Sequence, residues 1–196
     1  VATPGTLAAL YLASKRYSRL PWCELLQPAI RAVRAGFPLP TACHYYLGYA
    51  GDVIYGRSTD GHGALHDDDG KLLDAGANIV VPHLADSLTA IAEEGDRVFY
   101  EGEIARKLVA HVTDHGGRLT MADLGSYTAD VRDALSIDLG SWTFATNPLP
   151  AIGGVNLAAM LHCFGTEAID GWTHENLKRL IQAQEAVMTC RMQTLD

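Results

Sequence analysis

The 196-residue chain carries 23 acidic against 15 basic residues, a formal net charge of −8, with 48% hydrophobic and 19% charged residues. That composition is globular rather than disordered, and a chain this long can bury roughly 70% of its unfolded surface. The acidic balance, with no basic stripe, excludes a nucleic-acid or anionic-membrane partner, and no apolar run approaches the roughly 18 residues that span a bilayer.

The chain opens on Val1 without an initiating methionine or a basic–apolar leader, and reads as an internal or processed portion of a longer protein. Leu25, Ile30 and Val33, followed by Gly36, predict a helical stretch with Pro28 in the first turn of its second half. The run from Asp60-Gly61-His62-Gly63 to Asp67-Asp68-Asp69-Gly70-Lys71 reads as a turn between short strands. Leu84, Leu88 and Ile91 fall at helical spacing, and Gly95 can end that helix with positive φ. Ile104, Leu108 and Val112 repeat every four residues before Gly116-Gly117, so the two helices form a pair joined around Arg97–Gly102. Thr120-Met121-Ala122-Asp123 has the form of a capping box, opening a helix that Gly125 keeps short. Tyr127–Val131 leans toward strand, and Ser136–Thr146 alternates about a glycine-containing turn as a hairpin. Asn147-Pro148-Leu149-Pro150 imposes an extended link. A helix resumes after Gly153-Gly154 and runs through Phe164. Thr173 caps a last long helix with the face Leu177, Leu180, Ile181, Gln184, Val187 and Met188. No domain boundary shows: residues 1–196 read as one mixed, helix-rich α+β unit.

The candidates for chemistry each meet a plainer explanation. His111 and His115, four apart with Asp114 between them, share a helix face and suit a transition metal. They also sit in a last turn, where histidine interacts favourably with the carbonyl end, and no third ligand is placed. His62, His66 and Asp67–Asp69 could form a metal or calcium loop but lack the spacing of an EF-hand, which favours a solvated turn. Gly153-Gly154 before a helix invites an anion, yet no Walker lysine follows, and close packing against a strand explains the glycines equally well. Ser14, Ser18, Ser87, Ser126 and Ser141 lack a nucleophile elbow. Glu93-Glu94 and the Glu101/Glu103 pair read as solvated carboxylates. Cys23, Cys43, Cys163 and Cys190 have no zinc spacing; Cys163, within an apolar stretch, reads as a buried free thiol.

Five stretches carry more information together than any one alone. These are Thr3-Pro4-Gly5-Thr6; Leu20-Pro21-Trp22 through Pro28-Ala29-Ile30 to Gly36-Phe37-Pro38; Leu84-Ala85-Asp86-Ser87-Leu88 with Ile91-Ala92-Glu93-Glu94-Gly95; Phe99-Tyr100-Glu101-Gly102; and Gly116-Gly117-Arg118-Leu119-Thr120 through Asp123-Leu124 to Tyr127. In this order they resemble the large-subunit segment of the γ-glutamyltranspeptidase family, of the N-terminal-nucleophile hydrolase class. The resemblance covers nearly the whole chain.

It implies a portion of an αββα sandwich, made as a precursor that cuts itself into a large and a small subunit. The small subunit's N-terminal threonine would attack a γ-glutamyl amide through an acyl-enzyme, with its own amine as base. The family's substrate-clamping arginine precedes the Thr3-Pro4-Gly5 segment and its threonine lies beyond the last helix, so no catalytic, substrate-binding, cofactor or metal residue is assigned within 1–196. The implied partners are the small subunit of the same precursor and a γ-glutamyl substrate, with no nucleic acid, no membrane contact, and neither metal nor organic cofactor. A periplasmic or extracellular location follows by resemblance, the cytoplasm staying open. Pro148–Gly154 keeps the family's glycines and loses its serines, Cys190-Arg191 replaces an Asp-Arg pair, and the Asp60–Asp69 loop matches poorly. The alternatives are an inactive helical scaffold or binding homologue, a cephalosporin acylase-like amidase, and a metal enzyme using the paired histidines.

Overall fold

Helix α1 (Thr6–Tyr17) begins at an N-cap that has no side chain, Gly5. An N-cap normally supplies the acceptor for the orphan amides of the first turn. Here the acceptor comes from 92 residues away: the amide of Ala8 donates to the Tyr100 hydroxyl at 3.2 Å, and that hydroxyl donates to the Pro4 carbonyl at 2.8 Å. Glycine at the cap is itself required, because a Cβ there would press on the Tyr127 hydroxyl and lie 2.7 Å from its Cζ. The computed structural model describes residues 2–55, 59–165 and 171–194, the side chain of Thr194 excepted. It falls into two compact units, 1–129 and 130–196, where the sequence shows no boundary. The second begins in a stretch, 130–134, without regular structure.

In the first unit, α2 (Trp22–Ala35) packs along α5 (Leu84–Glu94). Trp22 anchors the pair, its indole N–H donating to the Ile91 carbonyl at 2.8 Å and its ring meeting Tyr11 edge-on at 5.1 Å. Helix α5 ends as the sequence predicts, with Gly95 at φ 84°. Pro28 corrects the sequence reading: it lies inside one continuous α2, not at a helix start. The position is exposed, so water can satisfy the carbonyl that the proline leaves without a donor. Gly36 (φ 79°) then turns the chain into β1 (Phe37–Pro38), antiparallel to β2 (Asn78–Ile79).

Between these strands lie α3 (Thr41–Tyr55) and α4 (Thr59–Leu65). The first half of the Asp60–Lys71 run, expected as part of a turn between strands, is the helix α4 instead; only the second half is the predicted turn, closed by a bridge between His66 and Leu72. Asp67 holds that turn by accepting from the amides of Asp69 (3.1 Å) and Lys71 (2.8 Å).

The unit's core is a cluster of Ala8, Tyr100, Ala105, Leu119 and Leu124. It is assembled from α1, the short α6 (Arg97–Tyr100), α7 (Glu103–Asp114) and α8 (Met121–Gly125). The capping box at α8 is complete: the Asp123 amide donates to the Thr120 hydroxyl at 3.1 Å and the Thr120 amide to the Asp123 carboxylate at 2.9 Å. The Thr120 hydroxyl, 2.6 Å from that carboxylate, holds Asp123 below its usual pKa, with the backbone bond adding to the effect. Tyr127–Val131 forms no strand; Tyr127 stacks on Tyr100 at 5.7 Å instead, a tertiary contact overriding strand preference.

The second unit comprises the predicted hairpin, β3 (Leu135–Leu139) and β4 (Trp142–Thr146), with α9 (Ile152–Phe164) and α10 (His174–Thr194). Leu135, Ile137 and Leu139 alternate inward, and Gly140 takes φ 68° at the turn. Helix α9 packs on both strands and on α10. Thr173 caps α10 as expected, accepting from the Asn176 amide at 3.2 Å. Cys163 is a correction: it is exposed, as are the other three cysteines.

Tyr100→Phe keeps the ring and removes the hydroxyl that caps α1 from across the unit, leaving the buried Ala8 amide and the Pro4 carbonyl without that partner. Denaturant melts of the full gene product are expected to show a loss of about 1–3 kcal/mol; a change within error would show that water replaces the hydroxyl at no cost.

Candidate functional site

The residues singled out in the sequence do not converge. His115 turns its Nδ1 to the His111 carbonyl oxygen at 2.7 Å, and the two rings lie 4.3 Å apart, so the pair closes the last turn of α7. His66 makes the same contact to His62 (2.8 Å), with rings stacked 3.7 Å apart and 3° from parallel. Parallel rings direct their in-plane lone pairs side by side rather than toward a common ion. Asp67, the nearest acid in sequence, is already committed to its turn amides. Among the described residues no group of three or more His, Cys, Asp or Glu is placed to hold a metal ion.

The serines are equally local. Ser14 donates to the Tyr11 carbonyl, Ser18 to that of Leu20 and Ser126 to that of Asp123; among the described residues none pairs with a histidine. Glu101 is ion-paired with Arg97, and Glu103 with Arg106 (3.0 Å) and Lys107 (3.7 Å), so these carboxylates face cations on their own helices rather than each other across a cleft. Arg97 also donates to the Gly125 carbonyl at 3.0 Å, tying α6 to the end of α8, and its pKa is raised chiefly by the bond to Glu101.

Gly153 and Gly154 resolve into two different roles. A Cβ on Gly153 would meet nothing within 4 Å. One on Gly154 would press on the Asn147 carbonyl oxygen and lie 2.8 Å from the Thr146 hydroxyl. The second glycine lets α9 start flush against the end of β4, which is the packing explanation rather than an anion cradle.

What the motifs do build is the core around Tyr100. This phenol is wholly buried, and burial pushes its pKa up, keeping it neutral and able to donate. Gly102 allows the next turn, since a Cβ there would lie 2.6 Å from the Val98 carbonyl oxygen. Gly117 likewise lets the chain fold back over Val112, placing Leu119 and Leu124 inside. The Pro-Gly-Thr segment, the Phe-Tyr-Glu-Gly turn and the stretch from Gly116 to Tyr127 thus meet in one cluster. The sequence marked these residues as a pattern; their joint purpose needed coordinates, because their contacts span more than 90 positions.

Sequence reading missed two surface features. One is a cavity of about 650 Å³ beside α3 and α4. The other is an exposed stripe on α10, where Leu177, Ile181, Met188 and Met192 are all uncovered while Ala183 and Val187 are buried.

Comparison with known proteins places this geometry. The gamma-glutamyltranspeptidase family profile matches residues 1–196. Glutathione hydrolase 3 of Arabidopsis thaliana is 35% identical over 197 residues, covering 98% of this chain and 30% of that protein. The crystal structure of the Helicobacter pylori gamma-glutamyltranspeptidase superposes with a TM-score of 0.90 at 21% identity, over 98% of this chain and 56% of that one. Cephalosporin acylase from Bacillus halodurans superposes with a TM-score of 0.83 at 27% identity, over 96% and 36% of the two chains. The chain therefore spans less than a third of the length of that curated relative, and has the helix-rich α+β fold of these enzymes.

The two glycines give a paired test of the packing explanation. Gly154→Ala is expected to destabilise by about 1–3 kcal/mol through overpacking, whereas Gly153→Ala should gain about 0.5–1 kcal/mol from helix propensity. Equal melting temperatures for the two variants would refute it.

Proposed function

The chain belongs to the gamma-glutamyltranspeptidase family, and from that premise we propose that it is the scaffold portion of the large subunit of a self-processing enzyme that hydrolyses or transfers a γ-glutamyl group. The observation that carries this is the end-to-end family match, combined with the convergence of three of its five motif stretches on one core rather than on a reactive centre. The chemistry itself belongs to the remaining polypeptide. An N-terminal threonine hydroxyl would attack the γ-carbonyl while the free α-amine takes its proton, the amine leaving group departs protonated, and water or an amino acid then takes the acyl group.

The proposed partner is the small subunit of the same precursor. The stripe of Leu177, Ile181, Met188 and Met192, with Leu157 exposed on α9, supports this, since contiguous apolar surface marks an interaction site. A cephalosporin acylase-like amidase is the second reading of the substrate, favoured by the likeness to the Bacillus halodurans enzyme and by the serines missing from Pro148–Gly154.

Intact mass spectrometry of the full gene product beside a γ-glutamyl-p-nitroanilide assay tests the reading. Two fragments, the smaller beginning with threonine, together with released nitroaniline are the expected outcome. Two fragments without release would move the substrate to another acyl amide. A single uncleaved, inactive chain would leave a scaffold or binding homologue.

A further inference from the structure

The cavity in the first unit has no part in that proposal, and it has the form of a ligand site. Helices α3 and α4 and the β1–β2 pair line an open cavity of about 650 Å³, inside the range of roughly 300–1,000 Å³ typical of small-molecule sites. Its floor is buried: Leu39 is 2% exposed and Ile79 is 5% exposed. Its walls are mainly aliphatic, with Leu47, Leu65 and Val81 among them. The few polar groups are the Asp60 carboxylate, the phenols of Tyr46 and Tyr55, the Cys43 thiol and the His83 imidazole. The His83 ring is 90% exposed and turned toward Asp86 at 4.0 Å, so it stands at the rim rather than inside.

Charge then selects the occupant. Among the described residues no lysine or arginine lines the cavity, and no ion pair takes up Asp60. From Leu39 to His83 the sequence has six aspartates against Arg57 and Lys71, and Lys71 is paired with Asp74 at 3.1 Å. The aromatic faces add to the same preference. Tyr46 meets Tyr49 edge-on at 4.9 Å, and Tyr49 meets Tyr45 at 5.9 Å, an exposed tyrosine group on α3 contiguous with the cavity wall. A ring face carries negative charge density and attracts cations. An anion placed beside the Asp60 carboxylate would meet like charge, and among the described residues no basic side chain lines the cavity to offset it.

We propose that this cavity binds a small organic cation with an apolar body, its charge held by Asp60 and the ring faces of Tyr46 and Tyr55 and its body among Leu47, Leu65 and Val81. The site stands on the geometry of the first unit alone and does not depend on the hydrolase reading. Its ligand class is set by charge complementarity: a carboxylate to which no described residue supplies a basic partner, an aromatic rim and an apolar lining.

Three probes sharing one phenylbutyl body separate charge from burial: 4-phenylbutylamine, 4-phenyl-1-butanol and 4-phenylbutyrate, titrated calorimetrically into the full gene product. The amine is expected to bind about tenfold more tightly than the alcohol, with the acid weakest. Asp60→Asn, at an exposed position, should bring the amine to within about twofold of the alcohol. Ala64→Trp, which fills the chamber, should abolish binding of all three while circular dichroism stays unchanged. The proposal is overturned if the amine does not saturate, if the acid binds as tightly, or if the amine's affinity survives either substitution in a folded protein. Activity toward γ-glutamyl-p-nitroanilide is recorded on the same samples, so failure of the hydrolase reading and failure of this one are separately visible.

Discussion

The first unit depends on a hydroxyl group. Helix α1 needs an acceptor for its first-turn amides, its cap residue must be glycine to clear Tyr127, and glycine has no side chain to offer. The Tyr100 phenol resolves the conflict by accepting from Ala8 and donating to Pro4. One buried group therefore satisfies the start of α1, fills the cluster's centre and stacks against Tyr127, the ring that made glycine necessary. Each residue in this set constrains another. Replacing Gly5 by serine would restore a local cap and displace Tyr127; replacing Tyr127 by a smaller side chain would relax Gly5 but hollow the core. A pattern of separated short motifs is the sequence trace of such mutual constraint.

That logic explains which parts of the fold could be read in advance. The capping box at Thr120, the ends of α5 and α7, the hairpin about Gly140 and the cap at Thr173 are local: donor, acceptor and turn residue lie within a few positions. Helix α3 was not legible, because Tyr45, Tyr46, Tyr49 and Val53 favour strands and Gly48 and Gly51 weaken a helix. The β1–β2 pair was missed since strands of two residues have no periodicity to detect. Tyr127 was assigned by propensity when its position is set by Tyr100, 27 residues earlier. Cys163 was assigned by the apolar character of its neighbours, yet on a helix the neighbours in sequence point elsewhere, and its own direction is outward.

The chemistry was legible only as a family pattern. Every residue type that could act alone, whether paired histidine, serine or paired carboxylate, is engaged by a carbonyl or a cation on its own helix or turn, or lies apart from any partner needed for catalysis. The cavity was not legible because it is bordered by α3, which the sequence does not predict, and by strands of two residues each.

Helix α10 shows how the second unit fits a scaffold role. The sequence assigns it one apolar face, but the structure divides that face in two. Ala183 and Val187 turn inward within their unit, where α9 is the packed neighbour, and Arg179 fixes the helix pair by donating to the Phe164 carbonyl at 2.9 Å with its guanidinium 4.9 Å from the Phe164 ring. Leu177, Ile181, Met188 and Met192 follow a second stripe at near-helical spacing and remain exposed. A surface helix that serves one neighbour needs a single apolar stripe backed by polar residues. Two stripes call for two neighbours, and among the described residues of this unit only α9 is supplied. The unsupplied one carries two methionines and spans about four turns of helix, interrupted at Gln184 and Glu185, dimensions suited to another folded layer rather than to a small ligand.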